Sequence, residues 1–246
     1  PASLIVFVPL LYVLCRVMKA FEGQSLVTIM CRVFGKSAGK TVAFALMLWL
    51  FVLLSLYIKY SGETLVTTVY VGTDIRFIMF FAAALTALFL RFGLPVISRM
   101  GTIIFAVIII QYFIIIVLLF VDFDPRNVTP ISTEDILPVM KSTVYPMTLS
   151  VYFTFIFIFN DQIRFGNKYV GKFVFPAAFL APANASTVLA TLGIFGASLV
   201  NKLKFPFHSA VENISILGGN TGIESLFITI WMFSEIILFC TFAYMV

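Results

Sequence analysis

Seven apolar runs divide the chain, at residues 4–14, 41–58, 77–90, 101–121, 144–159, 173–200 and 226–246, and Glu235 in the last is the one charge among them. A membrane-spanning β-strand alternates polar and apolar residues over about 10 positions. These runs do not alternate, so each is predicted to be helical, the form in which a segment satisfies its own backbone in lipid. Of the 246 residues, 61% are hydrophobic and 11% charged, against about 45–50% and about 25% in a soluble domain. A single core of this size cannot bury so much apolar surface, which makes lipid the solvent. The expected fold class is therefore all-α, a polytopic membrane protein. The third run is only about 21 Å long against roughly 30 Å of hydrocarbon, so Arg76 and Arg91 are expected to snorkel from its two ends.

The first run has about half of the ~20 residues that a span needs, and the last ends without a polar flank. The expectation is a fragment, a single transmembrane domain over 1–246 that is incomplete at both ends. The net charge of +5 is spread through the connections, which argues for membrane orientation rather than a nucleic-acid partner. Connections 15–40, 91–100 and 160–172 hold ten Lys/Arg and two acids, whereas the alternate set holds six bases and eight acids. The base-rich set is predicted to be cytoplasmic and the acid-rich set external. The first run then passes from outside to inside, with an odd number of spans before it.

Little in the chain suggests covalent chemistry. Cys15, Cys31 and Cys240 lack metal-ligand spacing, and the single histidine, His208, is expected in a wet outer loop. No nucleophile–base pair, phosphate loop or HExxH is present. Neither an enzyme nor a cofactor or metal is expected.

Binding chemistry is a better match. Pro146 breaks the helical pattern of Tyr145, Pro146, Met147, Thr148, Leu149 and Ser150, because it donates no N–H and its ring crowds the preceding turn. Two readings are open: a ligand site at a broken midplane helix, or a kink whose backbone Thr148 and Ser150 re-satisfy. On the last run Ser225, Thr229 and Phe233 recur every fourth residue and share one face. That face would suit an amino-acid head group and side chain, or would serve only as a packing stripe. Glu235 lies nine residues after Leu226, where an ionised carboxylate costs at least about 2.5–3.5 kcal/mol, so it is neutral or paired. Gln111 matches it in depth. An ion-coupling or gating site and a structural interhelical hydrogen bond are both open for this pair. Pro176, Pro182, Asn184 and Ser186 are expected to interrupt the run 173–200, and Gly193 with Ala197 to allow a close helix approach, giving a flexible helix packed at one end or only ordinary kinking and packing. Arg32, Lys36 and Lys40 read as orientation determinants, with contact to anionic lipid or a partner subunit as the alternative.

Three stretches carry a resemblance: QSLVTIMCRVFGKSAGKTVAFALMLW at 24–49, FDPRNVTPISTEDILPVMKS at 123–142, and FPFHSAVENISILGGNTGIESLFITIW at 205–231. They resemble the B-subunit family of bacterial spore germinant receptors, within the amino acid-polyamine-organocation transporter superfamily. The resemblance implies a ten-helix, five-plus-five inverted-repeat fold, of which this chain would carry the end of helix 2 through helix 8. It also implies a receptor subunit that senses small nutrients such as amino acids, working with A and C partner subunits in the spore's inner membrane. A proton- or cation-coupled amino-acid transporter of the same superfamily is the alternative function.

The charge pattern makes a topological prediction. In a background lacking the three native cysteines, a cysteine at Thr133 should react with an impermeant reagent applied outside, and one at Lys168 should be protected. The reverse pattern would overturn the topology.

Overall fold

A computed structural model of the protein describes residues 3–129, 152–166, 169–216, 219–220 and 223–246. It is built from eight α-helices among these residues: α1 (Ser3–Ala20), α2 (Leu26–Phe34), α3 (Lys36–Thr68), α4 (Ile75–Leu90), α5 (Leu94–Leu119), α6 (Tyr169–Val200), α7 (Pro206–Glu212) and α8 (Ile223–Met245). A 3-10 helix covers Tyr152–Phe159, and a minimal antiparallel pair joins β1 (Ser215–Ile216) to β2 (Gly219–Asn220). Four segments are long and apolar enough to cross a membrane, Lys36–Thr68, Leu94–Asp122, Tyr169–Val200 and Glu224–Met245, and Ile75–Leu90 is a shorter apolar helix. Large side chains such as Phe44, Trp49, Phe80, Ile103 and Ile110 lie exposed along them, as a lipid-facing surface requires. The protein is an all-α, multi-pass membrane protein.

The helices outrun the apolar runs, for identifiable reasons. α3 continues ten residues past Ile58 to Thr68, where Lys59 and Glu63 pair one turn apart at 3.7 Å and Thr64, Thr67 and Thr68 donate to carbonyls of the preceding turn. Such turns satisfy themselves at a wet interface, where hydropathy no longer marks the helix. α5 begins at Leu94 rather than 101, with Pro95 in its first turn, a position where the missing N–H costs nothing. Connection 15–40 contains the whole of α2, capped by Ser25, whose Oγ accepts from Thr28 N at 3.3 Å.

The chain divides into two compact units. One comprises 1–44 and 128–189. Its core is a stripe of Phe7, Leu11 and Cys15 on one face of α1, packed against Tyr169, Val170, Phe173 and Val174 of α6. Asn160 is fully buried and donates through Nδ2 to the carbonyls of Phe21 and Gln24, at 2.7 and 3.3 Å. Glu22 accepts from the backbone N–H of Phe165 at 3.0 Å, so two side chains tie the end of α1 to the turn after the 3-10 helix. α2 meets α3 across Gly35, at φ +84°, and a Cβ on Gly39 would overlap the Cys31 backbone.

The other unit comprises 45–127 and 190–246. α8 packs along α5 and α4, with Gly101 facing Ile237, Tyr57 stacked on Phe242 at 5.6 Å, and Gly62 against Ile75 and Met79. Ile115, Leu119, Ala190, Ala210, Val211 and Ile214 close its core. Helix α6, whose residues up to 189 belong to the first unit and the rest to the second, departs from the expectation drawn from its prolines. The chain stays helical through Pro176 and Pro182, where Asn184 and Ser186 donate to the carbonyls of Leu180 and Pro182, and the backbone leaves helical angles at Gly196 instead, at φ +71°. Asn127 fills the break, donating through Nδ2 to the Gly193 carbonyl at 2.7 Å, and Asp124 N donates to the same oxygen at 3.1 Å. Gly193 admits the ring of Phe123, which a Cβ there would overlap; the close approach is to a loop aromatic and not to a helix.

Gly193→Ala should therefore destabilise this unit by about 1–3 kcal/mol through overpacking, read as an earlier thermal midpoint in nanodiscs. Adding Phe123→Ala should recover part of that loss. A Gly193→Ala protein with an unchanged midpoint would show the ring is not fixed there.

Candidate functional site

Within the second unit α3, α4 and α8 enclose a cavity of about 390 Å³. Its walls run from Tyr70 and Thr73 in the α3–α4 connection to Leu85 on α4 and Phe239 on α8. Glu235 stands in the α8 wall, and its Oε2 accepts a hydrogen bond from Ser61 Oγ of α3 at 2.6 Å. A bond of this length is a strong one. It answers the requirement that a carboxyl group at this depth be partnered. Ser61 is buried at 5% exposure and was not found from the sequence, where it is one hydroxyl among several in the last turns of α3. Gln111 lies partly buried on α5.

Ser225, Thr229 and Phe233 occupy an exposed face of α8. Thr229 Oγ1 donates to the Ser225 carbonyl at 2.7 Å, and Phe233 is 48% exposed. None of the three lines the cavity, which takes Trp231, Met232, Glu235, Ile236 and Phe239 from the same helix. Tyr145, Pro146, Met147, Thr148, Leu149 and Ser150 lie outside the described residues. Among the described residues no three His, Cys, Asp or Glu side chains come together in a way that could hold a metal ion.

The loop expected around His208 is a helix. His208 sits on α7, its ring edge-on to Phe205, Phe227 and Trp231 at 5.9, 5.3 and 5.3 Å. The run of polar residues after Val200 hid this, because α7 is short and its apolar partners come from α5 and α8. His208 Nε2 is buried with no hydrogen-bond partner among the described residues, and burial pushes its pKa below the usual 6.5. Nearby, burial and then the Glu224 carboxylate raise the pKa of Glu212. A histidine held neutral by the fold binds its proton less readily than in the unfolded chain. Stability should then be lost as pH falls below about 6.5 and level off below the depressed value. Glu212 acts in the opposite sense, gaining stability as it protonates. The thermal midpoint of wild-type protein should drop between about pH 7.5 and about pH 5.5, and His208→Phe should flatten that drop; equal slopes in both proteins would remove His208 as the cause.

Residues 3–246 match the model of a protein family described as spore germination protein. No curated protein and no solved structure matches the chain. The family match runs through both units and every described helix, and the membrane-length helices fit it: this chain belongs to the spore germination protein family.

Proposed function

We propose that the chain is the nutrient-sensing membrane subunit of a spore germinant receptor, seated in the spore's inner membrane with A and C partner subunits and responding to a small germinant such as an amino acid. The observation that carries this reading is the family match over residues 3–246. The chain would be the part from the end of helix 2 through helix 8 of a single ten-helix, five-plus-five inverted-repeat domain. Tyr145, Pro146, Met147, Thr148, Leu149 and Ser150 and, on α8, Ser225, Thr229 and Phe233 are the proposed nutrient-binding residues. Two features support the second of these groups. The α8 face is exposed, and it carries two hydroxyls and an aromatic ring at every fourth position, a mixture suited to a head group and an apolar side chain.

A proton- or cation-coupled amino-acid transporter is the second reading, and the feature that favours it is the carboxyl group of Glu235 within a span, with Gln111 at matching depth. The fold does not separate the two. Labelled amino acid moved by reconstituted protein under a pH or sodium gradient would favour transport; a germination response without flux would favour sensing.

Leu149→Ala, which enlarges the proposed site, and Thr229→Phe, which narrows it, should each change which nutrients trigger germination. The change should appear as roughly a tenfold or larger shift in effective concentration, about 1.4 kcal/mol, at normal protein abundance. Wild-type concentration dependence for every nutrient in both variants would place the pocket elsewhere.

A further inference from the structure

The cavity between α3, α4 and α8 has a chemistry that the proposed nutrient face lacks. Its one carboxyl group, Glu235, meets no cation among the described residues, and no Lys, Arg or His lines the walls. Five of the lining residues are aromatic, Tyr70, Phe77, Phe81, Trp231 and Phe239, set among aliphatic ones, and Ser61 is bonded to the carboxyl. Aromatic faces attract cations through the ring quadrupole, and do so more strongly away from water. A carboxylate within an aromatic wall therefore selects positive charge. A free amino acid is a poor occupant, because its own carboxylate would find only Glu235 and apolar carbon, with no basic partner. A hard metal cation is also a poor occupant, since Ca²⁺ takes 6–8 oxygen ligands and Mg²⁺ is held octahedrally, while the wall offers few oxygens and is mostly apolar carbon.

We infer that this cavity is a binding site for a small organic monocation with an apolar body, a primary ammonium on an alkyl or arylalkyl chain, separate from the nutrient site. The ammonium group takes Glu235 as its counter-ion and lies against the rings, and the apolar body fills the space towards Leu85 and Phe239. The volume of about 390 Å³ is within the range of small-ligand pockets. Tyr70 and Thr73 stand at the end formed by the α3–α4 connection, which the charge pattern puts outside, so the site would be reached from that side.

The test uses three probes of similar shape on the protein in lipid nanodiscs: 2-phenylethylammonium, neutral 2-phenylethanol and zwitterionic phenylalanine. Binding is followed by calorimetry and by quenching of tryptophan fluorescence, since Trp231 lines the cavity. The expected result is saturable binding of the ammonium compound, tighter than either other probe by about tenfold or more. Glu235→Gln should erase that preference. Ala82→Leu keeps Glu235 and Ser61 but fills the cavity from the α4 wall, and it should weaken ammonium binding by a similar factor at an unchanged thermal midpoint. The second variant keeps the test decisive if Glu235→Gln does not fold. Equal affinity for the ammonium and the alcohol would mean simple apolar partitioning and overturn the inference. Undiminished ammonium binding in either folded variant would overturn it as well.

Discussion

A peptide group in hydrocarbon has no water to turn to, and each N–H or C=O left alone there costs several kcal/mol. The described helices of this chain answer that constraint in several ways. The long helices answer it by closing their own backbone bonds. Polar side chains within the helices add a second donor to a carbonyl of the preceding turn, as Ser186 does on Pro182, Asn184 on Leu180, Thr86 on Ala82 and Ser55 on Phe51. Where a helix stops being helical, at Gly196, the freed Gly193 carbonyl receives both Asn127 and the Asp124 backbone. Breaking a helix in this setting is not a loss of structure. It exchanges an intrahelical bond for one to a distant segment, and so fixes a loop.

The same logic explains why the few polar side chains within the helices matter out of proportion to their number. Hydroxyls are the cheapest of these, because Ser and Thr can donate back to the previous turn and disappear from the balance. A carboxyl group has no such escape. Glu235 needs a donor from another helix, and Ser61 supplies it. This contact sits in the wall of a cavity, where both groups are open to a ligand; had they met inside a filled interface, they would be packing alone. Lys204 and Lys59 on Glu63 make a looser arrangement at the exposed end of α3, where solvent screening leaves little net stabilisation.

Much of this was legible before any coordinates. Hydropathy runs located the helices that cross the membrane, because depth in lipid is written directly in composition. Their ends were not so marked. α3 runs on through Lys59 and Glu63, and α5 starts at Leu94, because the interface tolerates charge in a helix that the core does not. α2 and α7 were missed for a related reason: each is short, flanked by polar residues, and stabilised by contacts with other elements. His208 illustrates the consequence, since three aromatic neighbours make a buried site out of a segment whose own composition suggests water.

Depth and azimuth are separate coordinates, and only the first is carried by a linear pattern. Residue spacing put Ser225, Thr229 and Phe233 on one face of α8 and put Glu235 at mid-span, both of which follow from helical geometry alone. What each face meets depends on how helices rotate about their axes, which packing decides. Gly193 shows the difference most sharply. A small residue in a transmembrane helix predicts that something comes close, and something does, but the visitor is Phe123 from a loop and not a second helix. Ser61 makes the same point for the cavity: a hydroxyl in the same stretch of α3 as those of Thr64, Thr67 and Thr68 has no signature of its own, and it becomes part of a site only because α8 turns Glu235 towards it.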